Sequence, residues 1–142
     1  MHNLVQLTNA DASVLEDVNA LLRQLSTRVP LCSMELLQRL VESPTIELWV
    51  VKEGERIVGM GELAIVLKPE GVVAQIEDVI VDEGQRGKGF GKQIMQKLIE
   101  RARTHDTRVI KLSSNASRVA ANGLYKKMGF QQHETNSYYM NL

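Results

Sequence analysis

Apolar residues recur along the chain at two periods, and the switch between them separates helices from strands. Val5-Gln6-Leu7 reads as a short first strand. Behind it, Val14, Val18, Leu21, Leu22 and Leu25 recur at helical spacing, and Asp11 stands where a side-chain oxygen can cap the first turn. Pro30 breaks the chain. Ser33 can cap a second helix with Met34, Leu37, Leu40 and Val41 on one side, ended before Pro44. From Ile46 the pattern becomes that of strands: Leu48-Trp49-Val50-Val51, a turn at Glu53-Gly54, and residues 57–66 as the hairpin partner. A second turn at Lys68-Pro69-Glu70-Gly71 leads into a long strand over residues 72–81. A glycine cluster then opens a helix striped by Ile94, Met95, Leu98, Ile99 and Ala102. Residues 109–112 form a short strand, residues 118–128 a helix stopped by Gly129 as a left-handed cap, and residues 130–142 have room for two short strands.

The order is β-α-α-β-β-β-α-β-α-β-β. Hairpins first and βα crossovers later predict an α/β fold with a mixed, mostly antiparallel sheet and helices on both faces. With no repeat, linker or low-complexity tract, residues 1–142 read as a single domain.

The glycine cluster carries the first candidate chemistry. In Gln85-Arg86-Gly87-Lys88-Gly89-Phe90-Gly91-Lys92, alternating glycines let backbone N–H groups approach a ligand without Cβ obstruction. The helix start adds unpaired N–H groups and a partial positive charge, and Arg86, Lys88 and Lys92 add full charges. Together these suit a diphosphate. The spacing from Gly84 to Gly89 fits a Walker loop, but Phe90 stands where that loop needs lysine; the dinucleotide fingerprint needs a third glycine where Lys92 stands.

This loop and a second segment together resemble the GNAT superfamily of N-acetyltransferases. Arg86-Gly87-Lys88-Gly89-Phe90-Gly91 matches its acyl-CoA loop, Ile76-Glu77-Asp78-Val79-Ile80-Val81 resembles its fourth strand, and Ala121-Asn122-Gly123-Leu124-Tyr125-Lys126-Lys127-Met128-Gly129-Phe130 resembles the helix-turn segment ending in Tyr-x-x-x-Gly-Phe. The resemblance covers residues 75–130. It implies a sheet splayed between its fourth and fifth strands, with acetyl-CoA in the cleft and direct attack by an amine. Its loop, residues 86–92, would take the diphosphate. The pantetheine arm would lie along Val79, Ile80 and Val81, bonding the backbone of Val79 and Val81. A backbone N–H near Val79 would meet the oxyanion. Asn122 would contact CoA, with Arg118 a weaker candidate on the same helix face, and Tyr125 would protonate the departing thiolate, a phenol of pKa about 10 being a usable acid there. No metal is implied.

The amine must lose a proton before it attacks, and Glu62 and Glu77 are the candidate bases. Some family members place a glutamate near the position of Gln75, whereas others use water. Strand alternation allows at most one of Glu77 and Asp78 to point into a given cleft. Trp49 reads as core, His105 as a solvated residue at a helix end, and Tyr138 and Tyr139 as an alternating pair of which one could line an acceptor pocket.

Composition narrows the partners. The 17 basic and 17 acidic residues balance, which removes the basic excess that a nucleic-acid partner usually needs. The single cysteine, Cys32, excludes an intrachain disulfide and fits a reducing compartment. Met1-His2-Asn3-Leu4 opens no signal peptide, and no segment reaches the roughly 20 apolar residues of a bilayer span, so a cytoplasmic protein without a membrane partner is expected. The expected acceptor is a small-molecule amine, with a homodimer left open. The rival readings are a protein N-terminal or lysine acetyltransferase, a CoA-binding sensor without catalysis, and a nucleotide-binding switch, which the failed Walker pattern disfavours.

Overall fold

The computed structural model describes every residue from Met1 to Leu142. Its elements are β1 (His2–Gln6), α1 (Ala12–Leu25), α2 (Met34–Glu42), β2 (Ile46–Glu53), β3 (Arg56–Lys68), β4 (Gly71–Val81), α3 (Phe90–Thr104), β5 (Val109–Leu112) and α4 (Val119–Lys127). Asp11 caps α1 by accepting from the Val14 N–H at 2.9 Å, and Ser33 caps α2 by accepting from Leu36 at 3.1 Å. The five strands lie in chain order in one sheet, antiparallel from β1 to β4 and parallel between β4 and β5. No helix is long and apolar enough to cross a membrane.

Each face of the sheet has its own core. Val14, Val18, Leu21 and Leu22 of α1 and Leu37 of α2 meet Leu48, Val50, Met60 and Ile80 on one face. On the other, Ile94, Met95, Leu98 and Ala102 of α3 meet Val51, Leu63, Ala74, Ile76 and Val79. Gly61 brings α3 this close: a Cβ there would lie 2.6 Å from Ile94 and 3.0 Å from Leu98. Leu40 and Val41, expected on the packed side of α2, stay only partly buried, since α2 rests on the sheet mainly through Leu37.

Three expectations fail. The first strand begins at His2 and ends before Leu7, because β1 pairs with β2 from His2↔Glu53 to Gln6↔Trp49 while the Leu7 side chain turns into the α1 core. Residues 130–142 form no strand: the polar run over 131–137 offers little to pack, and Tyr138 and Tyr139 stand 87% and 91% exposed, so neither lines a pocket. His105 is no solvated helix end; its Nε2 lies 2.7 Å from Glu47 Oε2.

Glu47 is the centre of a network that ties β2 to the end of α3. It is 7% exposed and accepts from Arg101 Nε at 2.8 Å, Arg101 NH2 at 3.0 Å and Trp49 Nε1 at 2.9 Å. Burial alone would raise its pKa, but the bonds from Arg101, His105 and Trp49 and the charge of Arg101 outweigh it and bring Glu47 to about 2. A depressed folded pKa means stability fully present above the ordinary value of 4.5 and lost as pH falls toward 2. Glu47→Gln should therefore destabilise the protein by about 1–3 kcal/mol at pH 7. Denaturant melts at several pH values should show the gap to wild type closing between pH 4.5 and 2.

Candidate active site

β4 and β5 pair only from Val73↔Val109 to Ile76↔Leu112. Beyond Ile76, β4 runs on to Val81 while the chain after Leu112 leaves the sheet. This is the expected splay. The Asp82 N–H donates to Val58 O of β3 at 2.8 Å, so alternation turns the backbone groups of Val81 and Val79 the other way, toward the open edge. Two guanidiniums cover the carbonyls there: Arg86 Nε donates to Val81 O at 3.1 Å, and Arg118 NH2 to Val79 O at 3.2 Å. Ile80 shares neither property. It pairs with Met60 of β3 and buries its side chain under α1, so it contributes nothing to the open edge.

The glycine loop follows directly. A single 3-10 turn at Glu83–Gln85 leads into Arg86, and Gly87 and Gly89 adopt φ of 80° and 84°, left-handed values that favour glycine. Gly89 caps α3 without any side-chain bond, leaving the first N–H groups of the helix free for an anion. A Cβ at Gly87 or Gly89 would meet no protein atom within 4 Å, so the space above the loop is open. Arg86, Lys88 and Lys92 are all exposed beside it, whereas Phe90 is buried against the α3 core and can serve the site only through its backbone. The root of the loop is pinned from α1, where Gln24 bonds Asp82 Oδ1 at 2.7 Å and accepts from the Glu83 N–H at 2.9 Å.

α4 closes the opposite side. Tyr125 is 7% exposed, belongs to the same buried cluster as Val79, and meets Phe130 edge-on at 6.1 Å, while its hydroxyl makes no hydrogen bond within the protein. Asn122 Nδ2 donates to Asn115 O at 3.0 Å and to Arg118 O at 2.9 Å, which ties the loop between β5 and α4 and leaves Oδ1 as its free polar atom. Gly129, with φ of 99°, follows the helix as expected.

On the α1 side of the splay lies a cleft of about 310 Å³, lined by Leu25 and Ser26 from the end of α1, Glu77 and Asp78 from β4, Ser113, Ser114, Asn115 and Ser117 from the loop after β5, and Arg118. Glu77 and Asp78 both line it, against the alternation rule. The register of β3 on β4 slips between Met60↔Ile80 and Glu62↔Glu77, and Asp78 takes φ of 50°, so a bulge breaks the period of two. Glu62 stands directly across from Glu77 on the same face and outside the lining of the cleft. The serine-rich lining and the Asp78 bulge were not anticipated. The run Ser113-Ser114-Asn115 at the end of a strand was the available signal for the first; nothing local marked the second.

All three carboxylates are raised, chiefly by burial. Burial pushes Glu62 up, with the charges of Asp78 and Glu77 adding to it; burial and Asp78 push Glu77 up; burial raises Asp78. None of them joins an ion pair, unlike Glu47, Glu70 and Asp82 elsewhere in the chain. Ser114 Oγ, also in the lining, is buried without a partner.

The acetyltransferase (GNAT) family model matches residues 15–130 of this chain. The chain is 32% identical over 133 residues to the N-acetyltransferase YycN of Bacillus subtilis, a match covering 92% of this chain and 80% of that one. It is 40% identical over 63 residues to the L-methionine sulfoximine/L-methionine sulfone acetyltransferase of Pseudomonas aeruginosa, and there the match covers 44% of this chain and 37% of the relative's length. An acetyltransferase of Trypanosoma brucei shares its structure with a TM-score of 0.81 at 29% identity over 100% of both chains.

A raised carboxyl pKa in the fold is stabilising below the ordinary carboxylate range and loses that contribution as pH rises through the folded value. Glu62→Gln removes a charge that burial and two neighbours oppose, so it should raise Tm at pH 8 by about 2–4 °C, the shift that ~1 kcal/mol gives a chain of this size. The advantage should vanish near pH 4, where wild-type Glu62 is itself protonated; calorimetry at both pH values checks this.

Proposed function

Because this chain belongs to the acetyltransferase (GNAT) family, we propose that it is an acetyl-CoA-dependent N-acetyltransferase that acts on the primary amine of a small molecule. The observation that carries this is the convergence on one open strand edge of three things. Val79 and Val81 turn their backbone groups outward, α3 begins at an uncapped left-handed glycine, and Tyr125 brings an unbonded hydroxyl from α4. The residues fit CoA on their own geometry, since the space over Gly87 and Gly89 is open and the cations beside it are exposed.

The free N–H groups of the α3 start and the charges of Arg86, Lys88 and Lys92 would hold the diphosphate. Val79 and Val81 would pair with the amides of the pantetheine arm as a strand pairs with its neighbour, displacing Arg118 and Arg86 from their carbonyls. Acetyl-CoA supplies the acetyl group as a thioester. Val79 N–H is aimed to donate to the oxygen of that carbonyl, where negative charge develops. The acceptor enters from the cleft side, and Glu77 takes the proton that the ammonium must lose, directly or through water, with Glu62 behind it. The new N–C bond forms and the C–S bond breaks, the attacking nitrogen releases its second proton to water, Tyr125 gives its proton to the sulfur, and solvent restores it.

A cleft of about 310 Å³ suits a small amine better than a folded protein surface. The free hydroxyl of Tyr125 supports an enzyme over a CoA sensor that has no use for it.

Two substitutions separate binding from chemistry. Gly91→Ala leaves the fold unstrained, since its Cβ would sit 3.9 Å from Val81 and 4.0 Å from Leu124. It should raise stability by up to about 1 kcal/mol through helix propensity and yet weaken CoA, measured by calorimetric titration, by crowding the first turn. Tyr125→Phe should lower kcat by about 10²–10⁴-fold with CoA affinity unchanged, read as CoA release with an acceptor amine. Full activity in Tyr125→Phe would leave solvent as the proton source.

A further inference from the structure

The cleft carries more negative charge than proton removal requires. One carboxylate suffices to deprotonate an ammonium, yet Glu77 and Asp78 both line the cleft and Glu62 faces Glu77 across the β3–β4 register. Like charges directly opposite on a sheet are destabilising. The only cation in the lining is Arg118, and it is engaged with Val79 O at 3.2 Å. Among other partly buried acids of the chain, Glu47 has Arg101 beside it and Asp82 has Arg56, whereas Glu62 and Glu77 have no such cation. Only Glu77 and Asp78 of the three acids line the cleft, and no group of three His, Cys, Asp or Glu side chains is placed to hold a metal ion. Two unpaired carboxylates lining one cleft complement an organic cation with more than one positive centre.

We infer that the acceptor is an amine bearing at least one further positive charge, and that Asp78, brought into the cleft by the β4 bulge, meets that second centre while Glu77 serves the reacting nitrogen. This rests on the reading of the cleft as the acceptor site. Two neighbouring carboxylates are thereby given two tasks, and the broken alternation acquires a reason: a regular strand would send Asp78 to the other face. Ser114, also in the lining, holds a buried hydroxyl with no partner in the protein. An amine carrying a carboxylate or phosphate would face Glu77 and Asp78 with only Arg118 to receive it.

The test compares 1,4-diaminobutane, butylamine and glucosamine 6-phosphate as acceptors, by CoA release and by calorimetric binding to the CoA-saturated protein. The variant is Asp78→Asn, because asparagine tolerates the left-handed φ of 50° and removes only charge. Wild type should favour the diamine over butylamine by about three- to tenfold in kcat/KM, reject the phosphate, and lose the preference as salt rises. Asp78→Asn should erase most of the diamine preference, read as the ratio of diamine to butylamine kcat/KM, because any change in Glu77 when its charged neighbour is lost acts on both amines alike and cancels in that ratio. Equal use of diamine and butylamine, or preference for glucosamine 6-phosphate, would overturn the inference and leave the acetyltransferase reading standing. Diamine binding that depends on Asp78, with no CoA released by any amine, would uphold the charge selection and remove the transfer activity. Absence of diamine binding overturns the inference outright.

Discussion

A strand that loses its neighbour must still satisfy its backbone, and most of this molecule is arranged around one such place. After Ile76 and Leu112, β4 continues without β5, so Val79 and Val81 face outward with no strand beside them. Each unmade bond at a buried edge would cost about 1–3 kcal/mol. The fold meets the cost with side chains at the rim, Arg86 on Val81 O and Arg118 on Val79 O, which water and ligand can reach. A guanidinium can swing away where a strand cannot. The edge is therefore satisfied and yet open to a molecule offering amides of its own.

The two faces of the sheet divide the work. On one, α3 packs tightly over Gly61, which fixes the start of α3, and with it the glycine loop, against the end of β4. On the other, α1 ends at Leu25, and Leu25 and Ser26 line a cleft of about 310 Å³ together with Glu77 and Asp78 of the β4 bulge. Gln24 joins the two, since it sits on α1 and bonds the residues at the root of the loop. The edge of β4 is the seam along which the glycine loop and the cleft meet.

Carboxylates show how one residue type serves opposite ends. Glu47 is surrounded by Arg101, His105 and Trp49 and is held ionised, which makes it a tie between β2 and α3. Glu62, Glu77 and Asp78 have no such partners; burial raises all three, and the charge of Asp78 adds to the rise of Glu62 and Glu77. The first group stabilises the scaffold. The second is tolerated at a cost in stability, which is how a site holds groups ready to take a proton or a cation.

Periodicity alone determined the elements from α1 to α4, because buried faces impose a period on the residues that fill them: Asp11 and Ser33 mark helix starts, and Ile94, Met95, Leu98 and Ala102 mark the packed side of α3. The order of strands and helices and the glycine loop were legible for the same reason, being local patterns of residue type. What the sequence left open depends on which distant groups meet. Nothing near His105 marks Glu47, which is 58 residues away, and nothing in Glu77-Asp78 announces a bulge set by register against β3. The tail shows the converse: Tyr138 and Tyr139 have strand-like composition, but a strand exists only where a neighbour's backbone accepts it, and none does here. Side-chain chemistry is written residue by residue, whereas the cleft arises where β4 and β5 part, and only the folded chain decides that distance.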